Sequence, residues 1–342
     1  QKTSVGWSLG ARGRPAAMSS TKAYRLRGSP GSVTEAPGIP EYAGSSGPLR
    51  RRLTAPDGYF SKLGLDDVTP DSVVMTIPTG YDYIQYEDGK AIGYTYIQSP
   101  VTAFICDSFN YASGSQVSFV FGGYVRTALY QGDFTVADAF NEQSTGESAI
   151  DHSAGSSLVV CDLSGAQLAS ICVFDAACSG VTPQGRTYGG AGTLHTGNLR
   201  YRYHISDGQI SCDVSSIEVY FPESDSWQPL DFHKAYSTSF TFESSQNLVS
   251  LLPWASKMAT GQALPFAPYD EATGTYMDVP SDNKSEEYYR FWAPYCRGKG
   301  VLEGTSYELK SWTALYYYAA SMNGTLSDAY TPDHLMQTRI QG

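Results

Sequence analysis

The chain has 342 residues, 41% of them hydrophobic, with 26 Tyr and 14 Phe, enough for a packed core and weighted toward residue types that pack well on pleated sheet. Its net charge of −11 is unevenly split: residues 1–52 carry nine Lys/Arg against two acids, or +7, and the remainder carries 14 against 32, or −18. No apolar run reaches the roughly 20 residues of a membrane-spanning helix, no apolar signal-peptide core opens the chain, and six cysteines without a C-x-x-C pair speak against a zinc knuckle or a dense disulfide framework.

In chain order, residues 1–69 read as an extended basic N-terminal arm. Pro15, Pro30, Pro37, Pro40 and Pro48 punctuate it, and Trp7, Leu9, Tyr24, Leu26, Ile39 and Tyr42 are too sparse to make an apolar face. Its cations Arg12, Arg14, Lys22, Arg25, Arg27, Arg50, Arg51 and Arg52 are candidate electrostatic contacts, either to a polyanion or to the acidic body of a neighbouring subunit.

From residue 70 to 342 short runs of β-type residues recur between Gly, Asp, Asn, Ser and Pro. They predict strands near 73–77, 81–86, 92–97, 101–106, 115–121, 124–130, 133–137, 157–163, 167–174, 198–205, 210–221, 237–242, 287–292 and 306–318. Val117-Ser-Phe119-Val-Phe121 and Ser237-Thr-Ser-Phe240-Thr-Phe242 alternate as half-buried strands do. Helical spacing stands out only over 246–260, where Pro253 interrupts it, and over 332–340. No strand–helix–strand alternation is visible, so the expected fold is all-β: an antiparallel eight-stranded jelly-roll β-sandwich with long loop insertions at 138–156, 179–197 and 261–286.

The search for chemistry finds little. His152, His195, His204, His233 and His334 make no metal-ligand spacing, and the Asp151-His152-Ser153 run reads as coincidence, because neighbours on a chain point different ways. Gly189-Gly190-Ala191-Gly192 reads as a loop, and the doublets Glu286-Glu287 and Asp66-Asp67 as solvated turns of an acidic body. Tyr288, Tyr289, Trp292, Trp312, Tyr316 and Tyr318 are candidate core or interface aromatics on the strands 287–292 and 306–318. No catalytic residue, metal or cofactor is expected.

Two local patterns carry a family resemblance. Phe109-Asn-Tyr-Ala-Ser-Gly114 leads into the alternating strand 117–121, and Val279-Pro280 precedes Tyr288-Tyr289-Arg290-Phe291. With the arm before an aromatic-rich β body, the chain resembles the jelly-roll coat proteins of picornavirus-like icosahedral positive-strand RNA viruses of the dicistrovirus and marnavirus branch. A first residue Gln1 fits release from a polyprotein, and Gln341-Gly342 is a dipeptide type that such viral proteases favour. The branch's Asp-Asp-Phe maturation motif has only Asp66-Asp67-Val68 as its nearest match. The resemblance implies a structural capsid subunit without enzymatic activity, assembled in the host cytoplasm into virions. Its partners would be other capsid subunits and, through the arm, genomic RNA. The alternative is a carbohydrate-active or carbohydrate-binding β-sandwich.

Overall fold

A computed structural model describes residues 59–330 apart from 60–62, 64, 88–89, 95–98, 182–186, 190–191 and 297–307. All of these residues belong to one compact unit, which spans 48–342. The arm cations and the predicted helix 332–340 lie outside the described residues.

Strands β1 (Val73–Ile77), β2 (Ile84–Glu87) and β3 (Lys90–Tyr94) come first, then helix α1 (Pro100–Ser113), strands β4 (Val117–Phe121) and β5 (Gly132–Thr135), helix α2 (Val136–Glu142), strand β6 (Leu158–Ser164) and helix α3 (Gly165–Ala177). Strands β7 (Ser179–Val181), β8 (Thr187–Gly189), β9 (Leu194–Gly197), β10 (Leu199–Ser206), β11 (Gln209–Phe221), β12 (Ser226–Pro229) and β13 (Ala235–Thr241) follow. Helix α4 (Phe242–Thr260), the short pair β14 (Tyr269–Asp270) and β15 (Thr275–Tyr276), and helices α5 (Glu286–Trp292) and α6 (Ser311–Ser321) complete the set.

The fold is therefore mixed α/β, and the all-β jelly roll is corrected. Four segments expected as strands are helices. Residues 101–106 lie in α1, which Ser99 caps by accepting from the Thr102 N–H at 3.2 Å, Pro100 opens and Gly114 closes at φ 69°. Residues 167–174 lie in α3, whose N-terminus is a capping box of Ser164 and Gln167. Residues 287–292 form α5, and most of 306–318 forms α6.

The central sheet runs β6-β13-β4-β9, with β13 antiparallel to β6 and parallel to β4. A sandwich needs a second sheet facing the first, whereas here an apolar cluster with helices lies on each face. Val120 belongs to the cluster that includes Phe104, Phe109 and Ala112 of α1; Val117, Phe119 and Phe121 belong to the one that includes Leu168 and Ile171 of α3 and Leu248 and Leu252 of α4. The small residues of the alternation do not face water. Ser118 donates to the Cys106 carbonyl at 2.7 Å, and the Ser115 hydroxyl meets Ser239 Oγ at 2.7 Å, which lets α1 pack closely on the sheet. A separate ladder, β10-β11 with β12 beside β11, carries the half-buried pair of Arg200 and Glu218 at 2.8 Å, with the guanidinium over Trp227.

Where β6 turns into α3, Gly165 lies against the chain that returns to β13. A Cβ there would stand 2.0 Å from the Asp231 carbonyl oxygen, a backbone atom fixed by the neighbouring bonds Gly165 N–H to Lys234 O and Ala166 N–H to Phe232 O. Gly165→Ala is expected to lower stability by about 1–3 kcal/mol, the usual cost of overpacking. A urea midpoint equal to that of the parent chain would show that this junction yields without strain.

Candidate ligand-binding site

The sheet delivers its polar groups at the C-terminal end of β4. The strand breaks at Gly122, whose N–H donates to the Thr193 carbonyl at 2.8 Å, and passes through a single 3-10 turn, Gly122–Tyr124. The turn presents two groups. Arg126 is exposed, with one guanidinium N–H on the Gly123 carbonyl at 3.2 Å and its backbone N–H on the Glu142 carbonyl at 3.2 Å. Tyr124 is half-buried, packs edge-on against Phe121, donates its hydroxyl to the Glu243 carbonyl at 3.3 Å and accepts from the Asn247 amide. Burial raises the Tyr124 phenol well above its ordinary value and the Glu243 carboxylate adds to this, so it stays neutral.

Glu243, in the first turn of α4, ties this end to the loop 146–157. Its carboxylate accepts from the Glu147 N–H at 2.7 Å and from Ser156 Oγ. Burial raises its pKa to about 7 against the pull of those donors. Farther along the loop Glu147 accepts from the Tyr289 hydroxyl and stands 3.7 Å from His152 Nδ1, while His152 Nε2 stands 3.6 Å from the Glu286 carboxylate. His152 has φ 56°, and its ring lies 4.7 Å from that of Tyr289. The result is an open, largely acidic shelf of Glu147, His152 and Glu286, joined through Glu243 to Tyr124 on the turn that also carries the exposed Arg126.

Beneath the shelf the loop is fixed from inside. Glu308 accepts from Ser148 Oγ at 2.8 Å and from Ser157 Oγ, and the Lys310 ammonium sits among the oxygens of residues 153–155. Tyr59 closes this layer, taking the Lys310 backbone N–H at 3.1 Å and donating to the Glu308 carbonyl at 3.1 Å.

The aromatics singled out in the sequence fall on helices. Tyr288, Tyr289 and Trp292 are buried on α5 and Trp312 on α6, while Tyr316 and Tyr318 are half-buried on α6. Only Tyr289 reaches the shelf. Asp151, His152 and Ser153 form no triad: Asp151 accepts from the Ser153 hydroxyl and N–H, and His152 turns to Glu147 and Glu286. Sequence reasoning missed Tyr124, Arg126, Glu243 and Asn247. The available signal was Gly122-Gly123 directly after an apolar strand, followed by Arg126, which reads as a strand-end turn in place of the strand expected at 124–130.

The 5'-nucleotidase C-terminal domain family model matches residues 87–239, a little under half of the chain. Among solved structures the chain is similar to a 5'-nucleotidase precursor from Thermus thermophilus, at 14% identity over 75% of this chain and 38% of that one with a TM-score of 0.39. It is also similar to the NAD nucleotidase of Haemophilus influenzae, at 16% identity over 68% of this chain and 37% of that one, again with a TM-score of 0.39. The chain thus spans well under half the length of these proteins. No curated protein matches it.

These findings overturn the coat-protein resemblance. The matched model is an enzyme's domain and includes the strand 117–121 that the resemblance rested on, so the expectations of a capsid subunit, of a chain without enzymatic activity, and of a carbohydrate-specific sandwich all fall. Capsid subunits and genomic RNA as partners, and the virion as location, fall with them.

Proposed function

We propose that residues 87–239, with α4 and α5 beside them, form the nucleotide-binding part of a 5'-nucleotidase-type enzyme and take a nucleoside 5'-phosphate at the end of β4. The observation that carries this reading is the family match, which spans both the Gly122–Arg126 turn and the loop 146–157. The chemistry of the shelf supports it. Arg126 offers a fork of N–H donors suited to phosphate oxygens. Glu147 and Glu286, as carboxylates, can only accept, and so suit ribose hydroxyls or an exocyclic amine of a base. Among the described residues no group of three or more His, Cys, Asp or Glu is placed to hold a metal ion. The role proposed for the described residues is binding.

Calorimetric titration of the purified chain with AMP, adenosine and inorganic phosphate tests this. AMP is expected to bind more tightly than adenosine. Arg126→Ala should weaken AMP by roughly 10- to 100-fold, the worth of a charged hydrogen bond of about 1.5–3 kcal/mol, and leave adenosine unchanged. Absence of saturable binding by any nucleoside 5'-phosphate, or equal loss of AMP and adenosine in the variant, would overturn the reading.

A further inference from the structure

Lys310 is 3% exposed, and a buried ammonium is costly unless its protons find acceptors. Four oxygens surround it: the Ala154 carbonyl at 2.7 Å, Ser153 Oγ at 2.8 Å, the Gly155 carbonyl at 3.2 Å and the Ser153 carbonyl at 3.3 Å. Three consecutive carbonyls can aim at one point only if the backbone bends sharply. Left-handed residues flank them, His152 at φ 56° before and Gly155 at φ 91° at the end. A side chain at Gly155 would be strained by this φ and crowded by the ring of Trp312, whose Cδ1 would stand 3.0 Å from its Cβ. Burial lowers the Lys310 pKa, and the nearby acids Glu308, Asp151 and Glu243 oppose that shift. A shell made only of carbonyl and hydroxyl oxygens is the donor set by which proteins replace the hydration of small hard cations.

We propose that residues 153–155 form a monovalent-cation cage that the chain fills with its own Lys310 ammonium, and that potassium or ammonium ion takes the same cage when that group is removed. On this reading the loop 146–157 is held by the charge in the cage, and the lysine stem serves as its tether. The proposal does not depend on what the shelf binds.

The test is Lys310→Met, which keeps an unbranched stem and removes the charge, melted in choline chloride, KCl and NH4Cl at equal ionic strength. The parent chain should melt at one temperature in all three. The variant should melt several degrees lower in choline, a cation too large for the cage, and recover at least half of that loss in KCl or NH4Cl with saturable dependence on concentration. Equal melting of the variant in the three salts overturns the proposal. If the variant yields no soluble protein in choline, refolding yields in the same salts decide: a gain with potassium or ammonium supports the cage, and uniform failure counts against it. A measurement on the parent chain stands beside this. Lys310 should resist reductive methylation at least tenfold more than the exposed Lys257 and Lys284, and equal labelling would show that its ammonium is not enclosed.

Discussion

Phe240→Ala is expected to destabilise the fold by about 3–5 kcal/mol, the cost of removing a fully buried aromatic ring and leaving a cavity. Phe240 is 0% exposed on β13, between the two strands that β13 joins. Its ring stacks on Phe119 at 4.9 Å with only 9° between planes, and meets Phe266 at 5.2 Å and Trp292 at 5.9 Å nearly edge-on. Strand, opposite strand, the segment after α4 and helix α5 therefore share one contact, and the site can collapse only if all four move. Against a typical total stability of about 5–15 kcal/mol, the variant would lose much of its margin. Guanidinium unfolding followed by tryptophan fluorescence measures it; a loss under about 1 kcal/mol would mean that the four rings do not form one packed unit. Phe240→Leu, which retains more of the volume, should lose clearly less.

Stability is expected to fall as pH rises from about 4.5 to 7. Asp175 on α3 is 6% exposed, accepts from the Leu194 N–H at 2.9 Å and the Tyr201 hydroxyl at 2.6 Å, and is raised by burial to about 7; Glu243 is likewise raised to about 7. Both acids hold a proton in the folded state that the unfolded chain has already released above its ordinary carboxylate range. Their contribution is complete below about 4 and is lost as pH climbs to about 7, each on the order of 3–4 kcal/mol. His195 works the other way. Burial depresses its pKa to about 4, so it contributes stability above about 6.5 that is lost as pH falls toward 4. Two falling contributions against one rising leave a net decline across the window. Asp175→Asn should flatten the curve by removing one of them. Melting temperatures at pH 5, 6, 7 and 8 check this, and an increase from pH 5 to 8 would contradict the buried, protonated state of both acids.

The strands of the central sheet were legible because alternation survives burial: Phe119 and Phe121 point to one cluster, and Val120 to the other. What alternation could not tell was that the intervening serines lie beneath a helix instead of in water, so a sheet covered on both faces passed for one with a wet side. The helices were hidden by composition. Valine, threonine, isoleucine and phenylalanine in 101–106 and the tyrosines of 316–318 carry strand propensity, yet packing against the sheet or a neighbouring helix decided their state. The caps were readable: Ser99 with Pro100 and Gly114, and Ser164 with Gln167. In α6 the buried set Trp312, Leu315 and Ala319 keeps helical spacing. The shelf was less accessible, since Glu147, Glu243 and Glu286 come from three separate stretches that only the finished fold brings together.

The order β6-β13-β4-β9 has a consequence for synthesis. Thr238 pairs with Val117 on one side and Cys161 on the other, so until residues 235–241 exist β6 has no neighbour in this sheet and β4 has only β9. At roughly 5–20 residues per second of translation, β4 waits on the order of ten seconds for β13, with one edge unpaired and Phe119 without the ring it stacks on. A transcript truncated before β13 would thus release a chain unable to close its sheet, and the nascent polypeptide is a natural client for chaperones that shield apolar strands during elongation.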